Sequence, residues 1–387
     1  MMNKEKVSAF FKKNTMIIVL IIVALFFTWQ TQGRLLYPQN INNLIAQNAY
    51  VFVLATGMLL CILTGGNIDL SVGSVVCFAG AVGATLMVNK DMNIFVSIIA
   101  MLGVGLLVGV WQGFWIAYRR VPPFIVTLAG MLMFRGMSNV LLEGYTIAPM
   151  PQEYLNLFNS YIIDFFGGKG FNITSLVVGI VIAVIYTLMK FRQRASRIKK
   201  GYAADSLISD IAKCVAISAV VIALMWKLAM YKGIPNILVW IGVIVLIYGY
   251  ITSKTTVGRH FYAVGGNEKA AKLSGINTDR VYFLAYANMG MLAAVAAMVT
   301  IARLNSANPT AGDSYEMDAI GSCFIGGASA YGGSGTIPGV IIGATLMGVI
   351  NLGMSIMGID ANWQKVVKGL VLLAAVIFDV ETKKNSR

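Results

Sequence analysis

The stretch IFVSIIAMLGVGLLVGVWQGFWIAYRR, Ile94 to Arg120, decides how the rest of the chain is read. From Ile94 to Tyr118 it carries no charge, exceeds the roughly 20 helical residues needed to cross a hydrocarbon core, and ends on two arginines. Comparable apolar runs recur from Met16 to Phe378. The chain is 58% hydrophobic and 12% charged, against about one quarter charged for an ordinary soluble domain. A water-soluble fold is excluded. The expected class is all-α: one polytopic membrane helical bundle over residues 1–387, with about 10–12 transmembrane helices.

Working outward from Ile94, twelve spans are expected near 15–29, 41–63, 71–88, 94–118, 122–142, 172–190, 210–231, 236–251, 281–303, 317–333, 337–357 and 362–380. With the N-terminus inside, twenty Lys and Arg fall on one side, in the runs Lys4–Lys13, Arg119–Arg120, Lys190–Lys200, Lys254–Arg280 and Lys383–Arg387. The opposite side receives Arg34, Lys90, Lys169, Lys232 and Arg303. By the positive-inside rule both termini are expected in the cytoplasm. The formal charge of +14 therefore reflects topology and does not argue for nucleic acid.

The loop 143–171, expected outside, carries Tyr145, Tyr154, Phe158, Tyr161, Phe165 and Phe166, and suits either a docking ledge or an interfacial aromatic belt. Two Gly-interrupted apolar regions, TGGNIDLSVGSVV from Thr64 and IGGASAYGGSGTIPG from Ile325, both lead to GATL. Broken or re-entrant helices of this kind are tolerated where protein or a water-filled path replaces lipid. Corresponding breaks in two halves point to a transport path. Close packing of ordinary Gly-rich helices is the alternative. The break and path residues are Gly66, Asn67, Asp69, Ser71, Arg135, Gly326, Gly327, Gly332 and Gly333.

The loop 253–280, expected in the cytoplasm, contains a short helix by its signals: Asn267 as N-cap, Glu268 in the first turn, Lys272 in the last, Gly275 as the stop. An ordinary solvated loop is the alternative. Asp69, beside a helix break, is expected to cap the following helix through free N–H groups, with substrate contact as the alternative. Arg135, in FRGMSN, is expected to pair with a carboxylate or with carbonyls. Lys213, Lys227, Lys365 and Lys368 are expected to snorkel to headgroups.

No G-x-x-x-x-G-K-[ST] phosphate loop occurs, so ATP hydrolysis is expected elsewhere. The single histidine, His260, is far from any Cys or carboxylate cluster. Cys61, Cys77, Cys214 and Cys323 sit singly in apolar segments as small hydrophobes. No catalytic residue, metal or cofactor is expected, and few intramembrane carboxylates offer themselves to a proton-coupled carrier.

Four stretches carry a family resemblance: TGGNIDLSVG (Thr64–Gly73), VPPFIVTLAGM (Val121–Met131), GRHFYAVGGNEKAAKLSGIN (Gly258–Asn277) and AIGSCFIGGASAYGGSGTIPG (Ala319–Gly339). In that order they resemble the permeases of bacterial ABC importers for ribose, xylose, galactose and related monosaccharides, most of all the multiple-monosaccharide branch. Residues 172–232 look like a helix pair added to that family's core of about ten spans. The resemblance implies a permease homodimer in the inner membrane, an extracytoplasmic sugar-binding protein outside and a cytoplasmic ATPase with two nucleotide-binding domains inside. It further implies that Gly265, Gly266, Asn267, Glu268, Ala271, Leu273, Ser274 and Gly275 form the helix coupled to that ATPase. Related permeases carry nucleosides, autoinducer-type sugars or branched-chain amino acids, so another small solute is the alternative cargo; an ion-coupled secondary carrier is a more distant one.

Overall fold

The computed structural model describes residues 4–202 and 206–384, and every regular element among them is helical. In chain order the helices are α1 (Lys4–Gln30), α2 (Pro38–Gln47), α3 (Ala49–Leu63), α4 (Val72–Ala84), α5 (Ile94–Gly113), α6 (Pro123–Leu142), α7 (Gln152–Phe158), α8 (Ile173–Lys199), α9 (Leu207–Ala229), α10 (Asn236–Lys254), α11 (Thr256–Gly266), α12 (Glu268–Leu273), α13 (Thr278–Leu304), α14 (Tyr315–Ile325), α15 (Ile337–Ile356) and α16 (Ala361–Lys384). Turns of π-helix at Thr85–Asn89 and Phe114–Tyr118 extend α4 and α5.

Among the described residues eight helices are long and apolar enough to cross a membrane, or nine if α2 and α3, which break at Asn48, make one span. Helix stands at each of the twelve expected positions, but 317–333 is not a continuous span. There α14 stops at Ile325 after 11 residues, roughly 16 Å of helix, and residues 326–336 are non-helical. Gly327, Gly332, Gly333 and Gly335 have φ between +68° and +148° in this segment, a backbone that ends helices and that glycine adopts without steric cost.

The chain divides into two compact units. The smaller comprises residues 36–43 and 160–236, and so contains the α8–α9 pair. Gly179 of α8 lies against the Met225 side chain of α9, and Arg194 binds Asp210 at 2.6 Å between the same two helices. Asp164 gathers the chain ahead of α8: its carboxylate accepts the N–H groups of Gly168 (2.8 Å) and Thr174 (3.1 Å) and the Thr174 hydroxyl (2.8 Å). Desolvation works against the charge, but these hydrogen bonds outweigh it and hold the carboxyl well below its ordinary pKa.

In the larger unit α13 is the central helix. Ala285, Ala293, Ala294, Ala296 and Ala297 have no exposed surface. Without a hydrophobic drive between helices in lipid, small residues let backbones approach closely. Gly105 and Gly109 of α5, spaced i,i+4, face Gly290 of α13, and a Cβ at either Gly105 or Gly290 would strike the other's carbonyl oxygen. Helices α3, α4 and α15 complete a buried inner group, whereas α5, α6 and α10 turn Leu107, Val140 and Leu246 outward.

The aromatic loop 143–171 is partly structural. Tyr154 of α7 is fully buried and donates to the Met298 carbonyl at 2.7 Å, and Ile147 exchanges two backbone hydrogen bonds with Ala307. Tyr145, Phe165 and Phe166 remain exposed.

Replacing Gly290 with Leu should destabilise the folded protein by about 1–3 kcal/mol or more through overpacking. Gly136→Val, at an exposed position with no atom near the added Cβ, should stay within about 0.5 kcal/mol. Thermal unfolding in detergent distinguishes the two.

Candidate functional site

The three glycine pairs Gly65–Gly66, Gly265–Gly266 and Gly332–Gly333 are separated by some 200 and 66 positions in sequence. They meet in space. Gly66 lies against the Ala330 carbonyl, Gly332 against the Gly65 backbone, and Gly265 against the Leu63 carbonyl and the Gly333 amide, each so closely that a Cβ would overlap main-chain atoms. Helix α3 ends at Leu63, whose carbonyl has no intrahelical partner, and the Gly333 N–H donates to it at 3.1 Å. The Tyr262 hydroxyl adds a bond to the Gly335 carbonyl at 2.9 Å. One main-chain junction therefore ties together both broken segments and the end of α11.

Of the predicted break residues, Gly66, Gly332 and Gly333 belong to this junction together with Gly265 and Gly266. Asn67 braces the turn beside it, its side-chain amide donating to the Thr64 carbonyl at 3.1 Å. Gly326 packs instead on Gly339, where α14 and α15 approach, and Gly327 takes the left-handed turn.

Asp69 does not cap α4 as the sequence predicts. Its Oδ1 accepts the Ser71 N–H at 2.8 Å and the Ser71 hydroxyl at 2.6 Å, one residue before the helix begins, and Gln112 of α5 donates to the same hydroxyl at 2.6 Å. The carboxylate thus holds a buried string, Gln112–Ser71–Asp69, that fixes the approach to α4. Arg135 is satisfied by carbonyls, donating to Pro309 at 3.0 Å and Ala311 at 2.7 Å. Lys368 departs from the snorkelling expectation: it is 15% exposed and bonds Asp318 at 2.9 Å, an oxygen that also accepts the Tyr50 hydroxyl at 2.5 Å. Lys365 pairs at the surface with Asp313, 2.8 Å away.

The short helix stands where its capping signals place it. Asn267 Oδ1 accepts the Ala270 N–H at 3.0 Å, Ser274 N donates to Ala270 O at 3.0 Å, and Gly275 turns the chain at φ +85°. Ala271 is buried and Leu273 is 90% exposed, so the helix is anchored on one side and presents Leu273 on the other. Glu268 fastens it: Arg120 donates at 2.8 Å and the Tyr282 hydroxyl at 3.1 Å, and Arg120 also binds Asp279. Arg120 was legible only as half of a basic pair, since nothing in the sequence joins it to residues 148 and 159 positions away. Partial burial disfavours the Glu268 charge, but Arg120 and Tyr282 outweigh it and bring the carboxyl below its ordinary 4.5. Among the described residues no group of three or more His, Cys, Asp or Glu is arranged to hold a metal ion.

Because the folded pKa of Glu268 lies below 4.5, its contribution is complete above pH 4.5 and is lost as pH falls through the lower folded value. Both partners are more than a third exposed, so the effect should be under about 1 kcal/mol. Hydrogen exchange at α12 should show protection falling in that window, and Glu268→Gln should abolish the pH dependence. Gly265→Ala should cost more, about 1–3 kcal/mol, because backbone at Leu63 and Gly333 must give way; thermal unfolding measures it.

The profile of the family described as "Branched-chain amino acid transport system / permease component" matches residues 40–376. The xylose transport system permease protein XylH of Haemophilus influenzae is 37% identical over 96% of both chains. Its Escherichia coli counterpart is 36% identical over 96% of this chain and 92% of its own. The ribose import permease protein RbsC of Escherichia coli is 32% identical over 95% and 93%. No solved structure matches the chain. A profile matching most of the chain, and relatives aligned nearly end to end on a bundle of membrane-length helices, place this protein in the branched-chain amino acid transport system permease family.

Proposed function

We propose that this chain is the membrane-spanning subunit of an ABC importer for a monosaccharide, delivered by an extracytoplasmic binding protein and driven by a separate ATPase. The observation that carries the reading is the near full-length similarity to permeases named for xylose and ribose. The absence of a phosphate loop is in keeping with ATP hydrolysis in a partner.

In this reading α12 is the coupling element. It is exposed at Leu273, clamped at Glu268, and directly follows the glycine pair that ends α11 in the main-chain junction. A displacement of α12 by a nucleotide-binding domain is delivered to two discontinuous segments at once. The distribution of basic loops supports a cytoplasmic position for α12 and both termini, with the opposite end of the bundle facing the binding protein. Two copies of the chain form the conduit, with α8 and α9 as the added pair.

Leu273→Glu places a charge on the exposed surface of α12 without touching its anchors, so insertion and melting should be unchanged. In proteoliposomes with the ATPase and the loaded binding protein, uptake and sugar-stimulated ATP hydrolysis should fall at least tenfold. Undiminished uptake contradicts the coupling role, and accumulation by the chain alone on an ion gradient contradicts the proposed function.

A further inference from the structure

At the end of the larger unit opposite the glycine junction, a cavity of about 440 Å³ opens between the end of α2, the start of α3, the end of α13, the start of α14, the end of α15 and the start of α16. That volume lies in the range of small-molecule sites, roughly 300–1,000 Å³. We propose that this cavity is the site at which the permease first receives a neutral monosaccharide, a proposal that rests on the reading of the chain as a sugar importer.

The lining is unusual for a helical bundle in lipid. Asn351 is 5% exposed; its amide nitrogen donates to Asn48 Oδ1 at 3.2 Å, while its own Oδ1 has no partner. A buried acceptor left unpaired costs about 1–3 kcal/mol, and a turn of the Asn351 amide towards the cavity would let a ligand hydroxyl meet it. Tyr50 and Tyr315 stack at 3.5 Å between ring centroids and supply a flat aromatic wall. Asp318 sits just behind, accepting from Tyr50 and Lys368 through one oxygen and leaving the other, Oδ1, buried and unpartnered. Donors and acceptors are thus both presented from packed helices, together with an aromatic surface, which is the combination that a polyhydroxylated ring with apolar C–H faces can use.

Charge and polarity narrow the ligand class. Lys368 is neutralised by Asp318, so Arg303 is the remaining cation of the lining, and no carboxylate faces it across the cavity for an ammonium group to bind. A zwitterionic branched-chain amino acid would also need an apolar pocket, whereas Val299, Leu304 and Ala46 are the only aliphatic residues of the lining. Acyl chains are disfavoured by the amides for the same reason. With the orientation proposed above, the cavity faces the binding protein.

The test uses the assembled importer in proteoliposomes with D-xylose, D-ribose and D-galactose as probes. Ala46→Cys places a thiol in the lining, Asn362→Cys places one on the nearby exposed surface, and the four native cysteines are buried. After a membrane-impermeant methanethiosulfonate reagent, labelled Ala46→Cys should lose at least tenfold in uptake, labelled Asn362→Cys should not, and saturating sugar should slow labelling at position 46 alone. Asn351→Leu, which removes the unpaired acceptor and the donor to Asn48, should lower uptake about tenfold. Full labelling at position 46 with undiminished uptake overturns the site while the function stands. A wild-type importer that moves none of the three sugars overturns the function, and the site with it.

Discussion

Main chain lies against main chain at Leu63, Gly265 and Gly333, and much else in the protein is arranged around that contact. Two helices stop there, at Leu63 and Gly266, and the Gly-rich loop after α14 folds onto both. Such a meeting of non-helical backbone within a membrane bundle is stable only if every polar group finds a protein partner. The Gly333 N–H to Leu63 carbonyl bond supplies one such pairing, and Tyr262 to the Gly335 carbonyl another. Any side chain on these glycines would push the backbones apart and leave those groups unpaired. The same close approach sets the end of α11, next to the exposed helix α12, against the two breaks.

The few charged groups in the bundle follow the same rule. Ionisable residues at membrane depth are costly unless paired or turned to a polar cavity. Asp69 is held by Ser71 and, through it, Gln112; Arg135 rests on two carbonyls; Lys368 shares Asp318 with Tyr50. Breaking the last pair would leave a buried charge, which makes it a constraint on the cavity wall more than a source of net stability. The wall of the proposed sugar site and the packing of α16 therefore depend on one another.

Much of α12 was legible because capping is a local affair. Asn267 and Gly275 act through bonds to residues three positions away, as their places in the sequence suggest, whereas Glu268 is held by distant partners. Its anchoring was not legible. Arg120 had an evident role in topology, and its bond to Glu268 depends on how the turn Phe114–Tyr118 packs against the start of α13, Tyr118 on Phe283. The snorkelling expectation for Lys368 failed for a related reason: position near a helix end describes access to headgroups, whereas the nearness of Asp318 is a matter of packing.

What the sequence by itself determined was the solvent and the class of element: apolar runs of membrane length force helices, because lipid offers backbone groups no partner. It also marked where helices break, since glycine pairs and TGGN or YGGS stretches carry that information in adjacent residues. Only the tertiary structure decided that the three glycine pairs share one point, that 317–333 is a short helix followed by a loop, and that Asn48, Tyr50, Tyr315 and Asn351 line one cavity. These are contacts between residues tens to hundreds of positions apart. They depend on which helix faces approach, and a one-dimensional pattern of hydrophobicity and capping does not record that.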